Sequence, residues 1–201
     1  MPSLILLRHG QSTWNLENRF TGNVDVDLSP LGEQEASSAG KRLQAYHLDE
    51  AFTSVLKRAI HTLAIVLQET HNENIPITYS AELNERMYGD LQGLDKAETA
   101  KKYGADQVLE WRRSYSVRPP NGESLEDTYH RVIPYYETVI CPRLLAGKNI
   151  LIVAHGNSLR ALMMYLEHIS TEEIVSLDLA TGVPRLYTMA PDLAVSKAEY
   201  L

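Results

Sequence analysis

The chain switches repeatedly between short apolar runs and longer stretches of helical period. "SLILL" (3–7) and "NILIVA" (149–154) are almost unbroken apolar runs, as in strands buried on both faces. "EAFTS" (50–54), "IPITYS" (75–80) and "RLYTM" (185–189) read as further strands. Between them, apolar or small residues recur every three or four positions. "SPLGEQEASSAGKRLQAY" predicts a helix with Ser29 as N-cap and Pro30 at its first position. "VLKRAIHTLAIVLQET" (55–70) predicts an amphipathic helix. Residues 94–113 carry helical spacing with a break at Gly104, and "RPPNG" (118–122) is a turn. Ser124 followed by Asp127 predicts a capping box, opening a helix towards Leu145 with a kink at Pro134. A last helix is expected from about Ser158 to Glu167.

Strands alternating with helices predict an α/β fold in three layers, a mostly parallel central sheet with helices on both faces. One domain over residues 1–201 is expected. The irregular stretch at about 80–125 reads as an insertion covering the sheet edge.

Composition narrows the function. At 201 residues, 44% apolar and 22% charged, the chain can bury an ordinary core. A net charge of −7 argues against a nucleic-acid partner. The single cysteine, Cys141, allows no disulfide framework and no zinc motif, and fits a reducing compartment. No apolar run approaches the roughly 18–20 residues of a membrane span. "MPSLILL" is too short for a signal-peptide core. The expectation is a soluble cytoplasmic protein with no membrane partner.

Two strands end alike. "LILLRHGQS" and "LIVAHGNS" each run from apolar residues into His-Gly, an amide and Ser. Ligands of open α/β sheets bind beyond the carboxyl ends of the strands, so His9 and His155 are expected to face one crevice. The glycines permit close approach to the backbone. Gln11, Ser12 and Thr13 offer donors at a helix start, a natural anion site. Zinc would ask for a third protein ligand. Neither motif has a carboxylate close by, and Arg8 would repel a cation, whereas guanidinium matches phosphate with paired hydrogen bonds. "GNSLR" (156–160) has Arg160 where a nucleophile elbow needs its second Gly, and no P-loop occurs. What remains is a histidine nucleophile attacking phosphorus, served by cations and a proton donor. His47, His61, His71, His130 and His168 have no partner motif and read as surface or packing residues. Met163 and Met164 read as core filler.

The segments "LLRHGQSTWN", "FTGNVDVDLSPLGEQEA", "FTSVLKRAIHT", "LNERMYGDLQGLDKAE", "WRRSY", "PPNGESLEDT" and "AHGNSLRAL" resemble, in order, the cofactor-dependent phosphoglycerate mutases of the histidine phosphatase superfamily. The resemblance runs from about residue 4 to residue 187. It implies the mutase-like fold and glycolytic interconversion of 3-phosphoglycerate and 2-phosphoglycerate. The route is a phosphohistidine and 2,3-bisphosphoglycerate, which also primes the enzyme, with no metal. It implies His9 as nucleophile, His155 beside it, and Arg8 and Arg58 as the phosphoryl clamp. Asn15, Gly156 and Asn157 adjoin that clamp. Glu85 is implied as general acid and base, and Thr21, Gly22, Tyr88, Lys96, Arg112 and Arg113 as holding the far end of the substrate. A homo-oligomer, dimer or tetramer, is implied too, and the insertion becomes a cover over the active site. The five cations suit a bisphosphorylated acid of roughly −4 to −5 better than a single phosphate of roughly −1.5 to −2. Two departures stand out. Asn23 replaces the Trp usual after "FTG", and the tail after "RLYTM" is shorter than in many members.

Overall fold

The computed structural model describes residues 1–201. The elements are β1 (Ser3–Arg8), α1 (Thr13–Leu16), α2 (Pro30–Leu43), β2 (Glu50–Thr53), α3 (Lys57–Glu69), β3 (Ile77–Tyr79), α4 (Lys96–Tyr103), α5 (Ala105–Arg113), α6 (Leu125–Tyr135), α7 (Cys141–Leu145), β4 (Ile150–Ala154), α8 (Gly156–Glu167), β5 (Pro184–Met189) and β6 (Val195–Tyr200). One sheet has the order β3-β2-β4-β1-β5-β6. The first four of those strands are mutually parallel, and β5 and β6 run antiparallel to their neighbours.

The apolar runs have a direct reason. Leu4 and Leu6 of β1, with Ile150 and Ile152 of β4, pack among residues of α6 and α8. Ile5 and Leu7, with Leu151 and Val153, face α2 and α3 instead. Side chains alternate across a strand, so covering both faces removes every polar position. Each such leucine or isoleucine contributes about 1.5–3 kcal/mol on burial.

The helix starts follow their caps. Ser29 Oγ accepts from the Gly32 amide at 3.1 Å, and Ser124 and Asp127 form the reciprocal capping box. Gly104, at φ +89°, separates α4 from α5. Pro134, where a kink is expected, lies inside α6, and a π turn, Tyr136–Ile140, joins α6 to α7 just before Pro142. Proline lacks the amide and crowds the preceding turn, and one wide turn absorbs both defects.

Two elements depart from the sequence reading. α8 begins at Gly156, two residues earlier than expected, with His155 as its N-cap. β6 was not expected, because "VSKAEY" is mostly polar. It is an edge strand, and its Lys197–Glu199 pair at 2.6 Å blunts further pairing.

Candidate active site

β1 and β4 are hydrogen-bonded neighbours, with Arg8 opposite Ala154. The His9 amide donates to the Ala154 carbonyl at 3.0 Å. The residue after each strand end therefore emerges beside the other. The His9 and His155 ring centroids lie 4.9 Å apart at 61°. His9 Nδ1 lies 2.7 Å from the Gly10 carbonyl. A carbonyl only accepts, so Nδ1 carries the hydrogen and Nε2 keeps its lone pair. Arg58 Nε–H approaches that Nε2 at 3.3 Å. His155 Nε2 lies 2.7 Å from Ser54 Oγ, which also accepts from the Leu56 amide at 3.2 Å. His155 Nδ1 is buried and without a protein partner.

Both imidazoles are fully buried, and burial holds both well below the usual histidine pKa. For His9 the Arg58 and Arg8 charges push the same way, and for His155 the Arg58 charge does. His9 is a free base at neutral pH. Below pH 6.5 the unfolded chain takes up protons that the folded protein refuses, so stability is full above that pH and declines below it. The slope reaches about 1.4 kcal/mol per pH unit for each histidine. Urea denaturation at pH 7, 6 and 5 is expected to lose stability along this slope. His155→Gln should remove about half of it, and an unchanged slope would contradict this assignment.

Arg58 sits in the first turn of α3 and is 1% exposed. Its N-cap, Leu56, supplies no side-chain bond. Asp25 does so from a distant loop, its Oδ1 accepting from the Lys57 amide at 2.7 Å. The guanidinium donates to the Val24 carbonyl at 2.8 Å and the Gly22 carbonyl at 2.7 Å, which fixes the loop carrying Thr21 and Gly22. Burial lowers its pKa to about 10, so it stays a cation at neutral pH. The Gly10 amide donates to Thr62 Oγ1 at 3.1 Å. A Cβ on Gly10 would lie 2.1 Å from the Gly32 carbonyl oxygen, so the chain just after His9 and the start of α2 cross backbone to backbone.

Glu85 arrives from the irregular stretch after β3. Its Oε1 accepts from two amides, Arg86 at 2.8 Å and Asn157 at 3.0 Å. Its Oε2 accepts none and lies beside Gly156, where a Cβ would stand 3.6 Å from both Oε2 and the Arg8 guanidinium. Arg86 is fully buried and donates to Tyr88 Oη at 2.9 Å and to the Trp111 and Arg112 carbonyls at the end of α5. It ties Tyr88 to the helix end that presents Arg112 and Arg113. Burial raises the Tyr88 phenol most, but the Arg86 charge together with hydrogen bonds from Arg86 and Asn157 outweighs it, and the net shift is down. Burial, then Arg112, lowers Lys96.

One cleft, about 690 Å³ out to its open mouth, is lined by every site residue the family resemblance implied except His155, whose ring packs against that of His9. Seven cationic side chains line it against two carboxylates, Glu85 and Asp178. The expected donors at residues 11–13 are not free. Glu35 takes the Gln11 amide, Asn15 takes that of Ser12 and the Asp27 carbonyl that of Thr13. The helix start that lines the cleft is that of α8, through Gly156 and Asn157. Asn23 is exposed and absent from the lining, and its amide donates to Gln92 Oε1 at 3.2 Å. Sequence reasoning missed Arg19, Phe20, Arg160 and Asp178 in the lining, and Ser54, Asp25 and Thr62 behind it. Only Arg160 left a signal. It lies three residues after Asn157 on one helix face and donates to Asn157 Oδ1 at 2.9 Å.

The family model for the histidine phosphatase superfamily (branch 1) matches residues 4–189. A protein of Cytophaga hutchinsonii described as a 2,3-bisphosphoglycerate-dependent phosphoglycerate mutase is 61% identical over 201 residues, covering 100% of this chain and 94% of its own. One of Rhizobium rhizogenes with the same description is 53% identical, covering 99% and 95%. Among solved structures, Bacillus stearothermophilus YhfR superposes with a TM-score of 0.84 at 27% identity, over 98% of this chain and 96% of its own. A mycobacterial glucosyl-3-phosphoglycerate phosphatase, at 24% identity and a TM-score of 0.85 over 100% and 97%, shares the fold.

Proposed function

The chain belongs to the histidine phosphatase superfamily, branch 1, and within it we propose that it works as a phosphoglycerate mutase, interconverting 3-phosphoglycerate and 2-phosphoglycerate through phospho-His9. The observation that carries the chemistry is the His9 Nε2 lone pair, buried between Arg8 and Arg58 and held with its hydrogen on the other nitrogen. The observation that favours a mutase is the full-length similarity to proteins described as such.

A multiply charged anion fits this cleft. Arg8 Nε, Thr21 Oγ1 and His155 Nδ1 are buried polar atoms with no protein partner. Each costs about 1–3 kcal/mol until something satisfies it. Phosphoryl oxygens satisfy all three. Arg8, Arg58 and His155 hold the transferring group, and Lys96, Arg112 and Arg113 hold the opposite end of the substrate. As primer, 2,3-bisphosphoglycerate supplies the first phosphoryl group to His9.

In the cycle, the 2-hydroxyl oxygen of 3-phosphoglycerate attacks phospho-His9. The Nε2–P bond breaks, the new O–P bond forms, and Glu85 Oε2 takes the hydroxyl proton. The bisphosphate then turns over within the cleft. Its 3-phosphoryl group returns to Nε2, and Glu85 returns the proton to the departing oxygen. 2-Phosphoglycerate leaves and His9 is phosphorylated again. Residues 80–125, within one domain spanning 1–201, serve as the cover that keeps water from the phosphohistidine. No helix is long and apolar enough to cross a membrane.

The test is turnover of 3-phosphoglycerate with and without a trace of 2,3-bisphosphoglycerate, following 2-phosphoglycerate and free phosphate together. Strong stimulation with little free phosphate is expected. Free phosphate as the main product, without stimulation, would make the enzyme a phosphatase.

A further inference from the structure

The segment between α8 and β5 is fastened to the cleft by three guanidiniums from three elements. Arg160 donates to the Ile174 carbonyl, Arg113 to the Leu177 carbonyl at 3.4 Å and Arg8 to the Leu179 carbonyl at 2.5 Å. Asp178 stands between the last two. Its carboxylate lies 3.6 Å from the Arg113 guanidinium with its side chain 72% exposed, and it makes no closer polar contact. It is one of only two carboxylates lining the cleft, and the other is anchored by two amides. The backbone carbonyls on either side already hold the segment in place. The carboxylate is therefore not needed to fasten it, and so loose and exposed a pair is easily broken. Its geometry is that of an anion resting on a cation meant for a ligand.

We propose that Asp178 is a specificity-determining residue, competing with the substrate's distal anion for Arg113 and lowering the cleft's affinity for the more highly charged ligand most. The identity of the ligands rests on the mutase reading above. Coulombic opposition scales with ligand charge, so 2,3-bisphosphoglycerate, carrying one more phosphate, is opposed more strongly than 3-phosphoglycerate. The effect keeps a strongly basic cleft from trapping its own bisphosphorylated intermediate and primer.

The experiment is calorimetric binding to the His9→Asn protein, which cannot be phosphorylated, with and without the near-isosteric Asp178→Asn. 2,3-Bisphosphoglycerate is expected to bind about two- to fivefold more tightly to the double variant, the range of an exposed charge pair. 3-Phosphoglycerate should gain less, and both gains should shrink in 1 M salt, where screening is short-ranged. A misfolded variant does not bind more tightly, so a gain cannot arise from damage. Unchanged or weaker binding, or equal gains for both ligands, would overturn the proposal. Inorganic phosphate and pyrophosphate are titrated in parallel. Should neither phosphoglycerate bind, the mutase reading falls, and the phosphate–pyrophosphate difference alone then decides the role of Asp178.

Discussion

Replacing His9 with Asn is expected to abolish turnover, by on the order of 10⁴-fold or more, because the step that forms the covalent intermediate has no other acceptor. No other lone pair in the cleft is so placed. The Nε2 of His155 is already hydrogen-bonded to Ser54 Oγ at 2.7 Å. An exchange of roles between the two imidazoles would first require breaking that bond. The acid-labile, base-stable phosphoprotein formed with labelled 2,3-bisphosphoglycerate should vanish with the activity. The fold should survive, since Arg58 keeps its bonds to the Gly22 and Val24 carbonyls. Residual mutase activity above about one part in a thousand, with the variant folded, would sink the phosphohistidine scheme.

The second large effect belongs to Glu85→Gln. The glutamine carbonyl can keep both amide bonds that Oε1 accepts, so the local backbone should not move. At the Oε2 position it places an amide nitrogen that cannot take a proton. Loss of one positioned acid–base group costs about 10²- to 10⁴-fold. The loss should fall on kcat, with KM within a few-fold, because the cations that bind the substrate are untouched. If kcat fell less than threefold, another group would have to move the substrate proton. Glu85→Ala is the less informative variant, because it also strands the Arg86 and Asn157 amides.

Much of this site was legible because its parts sit in runs with a local logic. An apolar strand that ends in Arg-His-Gly, and another that ends in His-Gly, announce two groups at one sheet edge once the strands are known to be parallel. Ser29 and Ser124 announce their helices through bonds that reach only three residues. What stayed hidden depends on distance along the chain. Asp25 caps α3 across 32 residues, Thr62 holds the Gly10 amide across 52, and Ser54 orients His155 across 101. No local pattern encodes such pairs, since each partner looks like an ordinary polar residue in its own neighbourhood. The start of α8 was misplaced for a related reason. Its cap is a histidine, so the usual Ser, Thr, Asp or Asn signal is missing. β6 escaped because an edge strand is selected for charge rather than apolar alternation.

The strand order also governs how the chain comes into being. β1, with its run "LILL", pairs only with β4 and β5, both at least 140 residues further on. On the ribosome it leaves the exit tunnel long before either partner exists. For most of synthesis it is an unpaired apolar strand, the kind of segment on which nascent chains aggregate or recruit chaperones. β2 and β3 can pair meanwhile, but β4 must later enter between β2 and β1 to complete the sheet. The two histidines thus meet only after about three-quarters of the chain has been made, and a truncated product holds a nucleophile with no partner. Loop closure over such separations is slow, so catalytic competence waits on the late, long-range pairing of β4 with β1.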